Sequence, residues 1–328
     1  MIPIVNSVTE TRKDIHAKPF LKWAGGKTQL LDELVKRLPQ EIKNTRYIDS
    51  YIEPFVGGGA MFFYLKTNFN VKKSFLFDIN RELIVGYKVV QNNPKELTGL
   101  LKEIEKEYLS RTDEKQKEYY YEIRKDYNKQ MLDFDYTTYK KEWITRASHL
   151  IFLNKTCFNG LFRQNKKGGF NVPHGGYKNP SICCTENIIQ VHEALKDTEI
   201  FCDDFTKSER YIKEKCFVYF DPPYLPLNQT SSFTSYSKED FTRKDQIRLA
   251  DFFKKMDKRG DYLMMSNSDP KNENPDDNFF DELYEKYTID RVLANRMINC
   301  NGRGRGLISE LIITNYKFNN KNHENNKK

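Results

Sequence analysis

The chain has 328 residues, 38% hydrophobic and 30% charged, with a formal net charge of +8 and a mean hydropathy of −0.76. That length fits one large domain or two smaller ones, each able to bury a core. No apolar stretch is long enough to span a bilayer, MIPIVNSVTETRKDIHAKPF is no signal pattern, and the six cysteines form no CxxC pair; this argues against a membrane-spanning helix, a disulfide framework and a zinc site, and reduced thiols in a cytoplasmic protein are expected.

In chain order, KPFLKWAGGKTQLLDELVKRLP begins with a short apolar lead-in and a glycine pair. An amphipathic helix follows, with Leu30, Leu31, Leu34, Val35 and Leu38 at helical spacing and Pro39 as its stop. TRYIDSYIEPFVGGGAMFFYLKTN reads as strand, glycine turn and helix; VKKSFLFDINRELIVGYKVVQNNP repeats strand, acid and helix. This alternation predicts parallel βαβ units in a doubly wound α/β sheet. From Pro94 to about Trp143 the pattern is charged and helical. Between Trp143 and Thr185 there is no Asp or Glu, while Arg146, Lys155, Arg163, Lys166, Lys167 and Lys178 are interleaved with Phe158, Phe162, Phe170 and Tyr177. Such a stretch suits a polyanion; the bland alternative is a solvated loop over core aromatics. Alternation resumes at TEIFCDDF and runs through KCFVYFDPPY, DYLMMSNSD and SELIITNY, before a polar tail expected to be disordered. The α/β domain is thus expected in two parts, 16–93 and 191–317, around an insert at 94–190, with a tail at 318–328.

In open parallel sheets, ligands bind beyond the carboxyl ends of the strands. Three predicted strands end there in acids, Glu53, Asp78 and Asp221. One such acid is ordinary helix-cap chemistry; three beside the turn EPFVGGGAMFF are more than that. Gly57, Gly58 and Gly59 let the backbone turn sharply under a ligand. A dinucleotide fingerprint needs a glycine at 62, where Phe62 stands, and the Walker-like GGKT at 25–28 has Leu21 where its first glycine belongs. A nucleoside without phosphates fits better, with Asp78 on ribose hydroxyls; S-adenosylmethionine answers that description.

In DPPY, Asp221 and the Pro222 carbonyl offer two acceptors, Pro222 and Pro223 stiffen the loop without adding donors, and Tyr224 presents a flat ring. Two acceptors on the two hydrogens of an exocyclic amine, with an aromatic face on the base, would aim the nitrogen lone pair at a methyl sulfonium by positioning and electrostatics alone. A base inside a duplex must flip out to reach such a pocket, at about a few kcal/mol. The bland alternative is a turn with a capping acid. The grip suits N6 of adenine or N4 of cytosine.

PFLKWAGGKTQLL, YIEPFVGGGAMFFYL, FDIN, NKTCFNGLFRQNKKGGFNVPHGGYKNP, FVYFDPPY and ISELIITNY, in that order, resemble the Dam family of DNA adenine-N6 methyltransferases (D12 class, α group), which includes the DpnM-like, restriction-associated GATC methylases. The resemblance spans nearly all the chain except about the first 15 and last 10 residues. It implies a Rossmann-like S-adenosylmethionine-dependent domain with a mostly helical DNA-recognition insert. The implied reaction is methyl transfer to adenine N6 in double-stranded DNA, within GATC, leaving S-adenosylhomocysteine and using no metal; relatives that read GATATC share much of the insert, so that site stays open. Implied cofactor contacts are Trp23, Lys27, Glu53, Phe55, Gly57, Gly59, Asp78, Asp204, Phe205 and Asp221. Asp221, Pro222 and Tyr224 are implied to grip the target adenine. Implied DNA contacts are Lys22, Phe158, Asn159, Arg163, Asn165 and Lys166, with Arg163 and Lys22 reading guanines and Phe158 wedged near the flipped base. RGRG at 303–306 is expected to touch the DNA backbone or to be a plain loop. A cognate restriction endonuclease and monomeric action are further implications. Other readings are an N4-cytosine methyltransferase, a silent DNA-binding relative and a dehydrogenase; the intact DPPY and glycine turn weigh against the second, and the missing third glycine against the third.

Overall fold

The computed structural model describes residues 15–23, 25, 27, 30–213, 215–224, 241–295 and 307–318. Gly26, Thr28, RGRG at 303–306 and the tail beyond 318 lie outside the described residues.

Seven strands form one sheet: β1 (Tyr47–Glu53), β2 (Asn70–Asp78), β3 (Thr198–Cys202), β4 (Phe217–Phe220), β5 (Tyr262–Ser268), β6 (Thr288–Asn295) and β7 (Leu307–Thr314). Their spatial order is β3-β2-β1-β4-β5-β7-β6. The first five are parallel, while β7 runs antiparallel between β5 and β6. The chain lays down β1, β2 and β3 in one direction, then returns to place β4 on the other side of β1. That reversal opens a crevice at the carboxyl ends of β1 and β4, the general ligand position of Rossmann-like sheets. Glu53 ends β1, Asp221 follows β4, and Asp78 ends the adjacent β2.

Helix α1 (Leu31–Lys36) stops short of Pro39, and α2 (Gln40–Thr45) leads into β1. The glycine turn starts α3 (Ala60–Asn68); α4 (Arg81–Asn92) follows β2, with the Asn80 side chain accepting from the backbone N–H of Glu82 and Leu83. The insert contributes α5 (Pro94–Leu109), α6 (Asp113–Gln130) and α7 (Glu142–Thr156), then irregular chain to α8 (Thr185–Ala194). Helices α9 (Arg243–Asp257) and α10 (Phe279–Leu283) belong to the second half.

Strand side chains alternate between two apolar layers, as the period of two requires. Tyr51, Phe217 and Tyr219 face one cluster, which runs unbroken from α3 and α4 into α5, α6, α7 and α8. Ile52, Val218 and Phe220 face the other, under α9 and α10. The insert therefore shares the core of the sheet's first face.

Arg146 corrects one expectation from the sequence. It does not face a polyanion; its side chain is 1% exposed. Its Nε and Nη2 donate to the two Glu82 oxygens at 2.8 and 2.6 Å, and its Nη1 donates to the Tyr127 carbonyl at 3.0 Å. The hydroxyls of Tyr127 and Tyr136 donate to the same carboxylate at 2.8 and 2.5 Å. A buried ion pair joins α4 to the insert, with every carboxylate oxygen doubly bonded. Breaking one partner of such a pair leaves a buried charge uncompensated. Arg146→Ala is therefore expected to lower the unfolding free energy by roughly 3–5 kcal/mol in a denaturant titration; a loss below about 1 kcal/mol would mean that Glu82 finds another partner.

Candidate functional site

The glycine turn after β1 is stitched to the end of β2. Val56 N–H donates to the Phe77 carbonyl at 2.8 Å, and Gly57 N–H donates to Asp78 Oδ2 at 3.0 Å. Asn80 N–H takes Asp78 Oδ1 at 2.8 Å. Gly57 and Gly59 have φ of 47° and 72°, a region costly to residues with a Cβ. Space is as restrictive: a Cβ on Gly59 would lie 2.6 Å from the Tyr87 hydroxyl, and one on Gly57 3.2 Å from Trp23. Ile79, next in the chain after Asp78, is 70% exposed. Glu53 is buried, with the Tyr51 hydroxyl donating to it at 2.8 Å. Burial pushes its carboxyl well above the usual carboxylate range, and nearby Asp221 adds to the effect. Burial also raises Asp78, against the N–H groups that favour its charged form. Phe55 packs on Phe205 with centroids 5.2 Å apart. Asp204, just before Phe205, receives both terminal nitrogens of Arg248 at 3.0 Å.

Across the crevice, Asp221 Oδ1 accepts from Lys27 Nζ at 2.9 Å and from Ser266 Oγ at 3.0 Å. Ser266 in turn takes the Tyr219 hydroxyl at 2.8 Å. Burial raises the Asp221 carboxyl, and the Lys27 ammonium pulls it back down. Lys27 Nζ also donates to the Gly25 carbonyl at 3.0 Å and lies 4.0 Å from the Tyr224 ring centroid. The Tyr224 hydroxyl donates to Glu310 on β7. The Pro223 carbonyl accepts from Gln246 on α9 at 3.3 Å, and Asn267 Nδ2 holds Gln246 at 3.1 Å. Among the described residues nothing donates to the Pro222 carbonyl.

A second group gathers where the insert meets residues 20–23. Trp23 stacks on Phe162, with centroids 5.0 Å apart and planes at 22°, while its edge meets Gly57. Asn154, fully buried, accepts the Lys22 N–H at 2.8 Å and donates to the carbonyls of Lys22 and Gly160 at 2.9 and 3.0 Å. Phe158 is 52% exposed. Asn159 N–H donates to the Tyr177 hydroxyl at 2.9 Å. Arg163 Nε donates to Asn171 Oδ1 at 2.8 Å, and its terminal nitrogens have no partner among the described residues. Asn165 Oδ1 accepts from Lys167 and Gly169 N–H at 2.9 and 3.1 Å, closing the turn that carries exposed Lys166. Among the described residues, no carboxylate lies within ion-pair distance of Lys22, Lys155, Arg163, Lys166, Lys167 or Lys178.

The residues singled out from sequence thus form two groups. Glu53, Phe55, Gly57, Gly59, Asp78, Asp204, Phe205, Lys27, Asp221, Pro222 and Tyr224 surround the carboxyl ends of the strands. Phe158, Asn159, Arg163, Asn165 and Lys166 lie on the insert, with Lys22 and Trp23 at the junction. Lys27 sits on Asp221 and Tyr224. Sequence reasoning missed Ser266, Gln246, Asn154 and Glu310. For the last two a signal existed: a lone amide in the apolar helix HLIFLNKT, and a lone acid in the strand LISELIIT.

Residues 23–298 match the family model described as D12 class N6 adenine-specific DNA methyltransferase. The chain is 51% identical over 303 residues to the Type II methyltransferase M.MjaIII of Methanocaldococcus jannaschii, covering 92% of this chain and 100% of that protein. It is 38% identical to the Type II methyltransferase M1.LlaDCHI of Lactococcus lactis subsp. cremoris, over 93% of this chain and 98% of that one. It is 32% identical to the DNA adenine methylase of Escherichia coli K12, over 90% of this chain and 94% of that one.

The turn geometry gives a direct test. Gly59 and Gly176 both have positive φ, 72° and 68°, but a Cβ on Gly176 meets nothing within 4 Å. Gly59→Ala is expected to cost about 1–3 kcal/mol more than Gly176→Ala in thermal unfolding, from overpacking against Tyr87; equal costs would show that the turn relaxes.

Proposed function

Since the chain belongs to the D12 class of N6 adenine-specific DNA methyltransferases, which are S-adenosylmethionine-dependent enzymes acting on DNA, we propose that it methylates a flipped adenine within GATC and that Asp221, Pro222 and Tyr224 grip that base. Family membership sets aside the cytosine and dehydrogenase readings. The observation that carries the proposal is the placement of Lys27. An N–H donor 2.9 Å from Asp221 and 4.0 Å from the centre of the Tyr224 ring occupies the place that the amine of a stacked adenine would take. The Pro222 carbonyl is then available for the second amine hydrogen. Two acceptors and an aromatic face hold the amine with its lone pair directed out of the ring plane, which is catalysis by positioning and electrostatics. Lys27 must leave Asp221 as the base enters.

The residues of the glycine turn fit the cofactor. Gly57 and Gly59 leave no room for side chains, Asp78 is fixed by two backbone N–H groups, and exposed Ile79 offers an apolar surface beside it. We assign Trp23, Lys27, Glu53, Phe55, Gly57, Gly59, Asp78, Asp204, Phe205 and Asp221 to its binding. It supplies an electrophilic methyl group; the protein's part is to hold the acceptor amine in line and keep water out.

Residues 94–190 serve as the module that reads DNA. Arg163, held at Nε with both terminal nitrogens free, has the fork that reads guanine O6 and N7. Lys22 reads an outer base, Phe158 fills the space left by the flipped one, and Asn159, Asn165 and Lys166 meet the backbone. GATC rests on the likeness of the insert NKTCFNGLFRQNKKGGFNVPHGGYKNP to that of GATC methylases. The Type II names of two relatives favour a restriction-modification setting with a cognate endonuclease. A single target base requires only a monomer, and a DNA substrate favours a cytoplasmic setting.

Nucleoside mass spectrometry of unmethylated DNA incubated with the protein and S-adenosylmethionine should show N6-methyladenine, mapping to GATC. Asp221→Ala should abolish it while DNA binding persists, because the lost acceptor acts in the transition state. Normal turnover by that variant would sink the mechanism, and no methylated base from the wild type would point to a silent relative. A second expectation follows from the ion pair. Lys27 holds the Asp221 carboxyl down against burial, so removing it raises the pH at which Asp221 loses its proton. Only the carboxylate accepts freely, so the acid limb of kcat/KM against pH should move to higher pH in Lys27→Met. An unmoved limb would mean that Asp221 ionisation does not limit the free enzyme.

A further inference from the structure

We propose that Glu310 is a positioning residue for methyl transfer, acting through the Tyr224 hydroxyl to hold in place the ring on which the target base stacks. The inference rests on the reading of Asp221–Tyr224 as the base grip.

Glu310 is the only acid in LISELIIT, whose Leu311, Ile312 and Ile313 are fully buried. Strand β7 lies between β5 and β6, and Glu310 stands in register with Ser268 on one side and Val292 on the other. With a period of two, Glu310 shares a face with Ile312, and Ile312 stands opposite Ser266, the serine that holds Asp221. From there the antiparallel register carries Glu310 toward the carboxyl end of β5, the end at which Asp221 and Tyr224 leave β4. The carboxylate is held there at a cost. Burial raises it above the usual range, the Lys27 ammonium pulls it partway back, and among the described residues no Lys or Arg is within ion-pair distance of it. Its hydrogen-bond partner is the Tyr224 hydroxyl.

The bond explains why an acid interrupts an apolar strand. Tyr224 is carried on two stiff prolines, but its own side chain can still swing about the Cα–Cβ bond. Lys27 covers the ring face in the free protein and leaves when a base arrives. Once it has gone, the bond at the hydroxyl end is the polar contact that holds the ring, among those described. A ring fixed in advance spares the incoming base the cost of ordering it, and small misplacements of a reacting group cost up to about 100-fold in rate.

The test is the single-turnover rate of N6-methyladenine formation on unmethylated plasmid DNA. Glu310→Ala, Glu310→Gln, Tyr224→Phe and the double variant Tyr224→Phe/Glu310→Ala are compared, with Asp221→Ala as control and S-adenosylmethionine affinity measured alongside. Glu310→Ala and Tyr224→Phe should each slow transfer by roughly 10- to 100-fold with cofactor affinity unchanged. The double variant should be no slower than either single one. Glu310→Gln, which still offers an acceptor, should stay within about threefold of wild type. A wild-type rate for Glu310→Ala, multiplicative losses in the double variant, or a Gln variant as slow as the Ala variant would each overturn the proposal, the last by pointing to charge rather than position. If Glu310→Ala does not fold, Tyr224→Phe decides with Glu310→Gln: a wild-type rate for Tyr224→Phe overturns the inference. An active Asp221→Ala would instead remove the base-grip reading itself.

Discussion

A carboxylate half-buried at the end of a strand has to be compensated, and the site is arranged around that requirement at Asp221. Its Oδ1 takes a lysine and a serine, the serine takes Tyr219, and the lysine completes its shell with the Gly25 carbonyl and the Tyr224 ring. Any ligand that displaces Lys27 leaves the carboxylate in need of new donors. An N–H-bearing base meets that need and an apolar molecule does not, because an unpaired buried acceptor costs about 1–3 kcal/mol, more when charged. On the base-grip proposal, selectivity for an exocyclic amine follows from the same desolvation that raises the Asp221 carboxyl.

The second constraint is mechanical. The insert shares one apolar cluster with the sheet, so it is seated on the catalytic half by burial as well as by polar ties. Those ties fall close to the functional groups. Asp78 accepts from Asn80, Asn80 caps α4 through Glu82 N–H, and the Glu82 carboxylate holds Arg146 and Tyr127 of the insert. On the other side, Gly57 touches Trp23, which stacks on Phe162, the neighbour of Arg163. Asn154 meanwhile pins the backbone of Lys22 to the turn at Gly160. The glycine turn and the guanidinium assigned to guanine are therefore connected through stiff, buried contacts rather than across a hinge.

What the sequence made legible was local. Strand, glycine turn and acid at Glu53–Gly59, strand and acid at Asp78, and strand with DPPY at Asp221 are short patterns whose chemistry lies in adjacent residues. Parallel order followed from their alternation with helices. The reversed β7 did not, since a swap of strand direction leaves the period of two unchanged. Ser266, Gln246 and Glu310 reach the DPPY segment from β5, α9 and β7, and such convergence has no signature along the chain. Arg146 was misplaced for a different reason. Trp143, Arg146, Ala147 and Leu150 lie on one buried helical stripe, so periodicity put Arg146 inside α7's packed face, but the run of like charges around it outweighed that signal.

The distribution of charge carries more than its sum. On the catalytic half, cations meet acids: Arg37 with Asp290, Arg243 with Asp277, Arg248 with Asp204, Arg259 with Glu209 and Arg291 with Asp269. The exposed ones among them, such as Arg243–Asp277, add little stability, yet each pair cancels the field of its cation. On the insert and its junction, Lys22, Lys155, Arg163, Lys166, Lys167 and Lys178 have no such partner among the described residues. A net charge of +8 spread evenly would say little. Concentrated as cations without such partners beside exposed Phe158 and the free end of Arg163, the same charges form a surface suited to phosphates; on the DNA-reading proposal, released counterions supply the affinity and the base edges the choice.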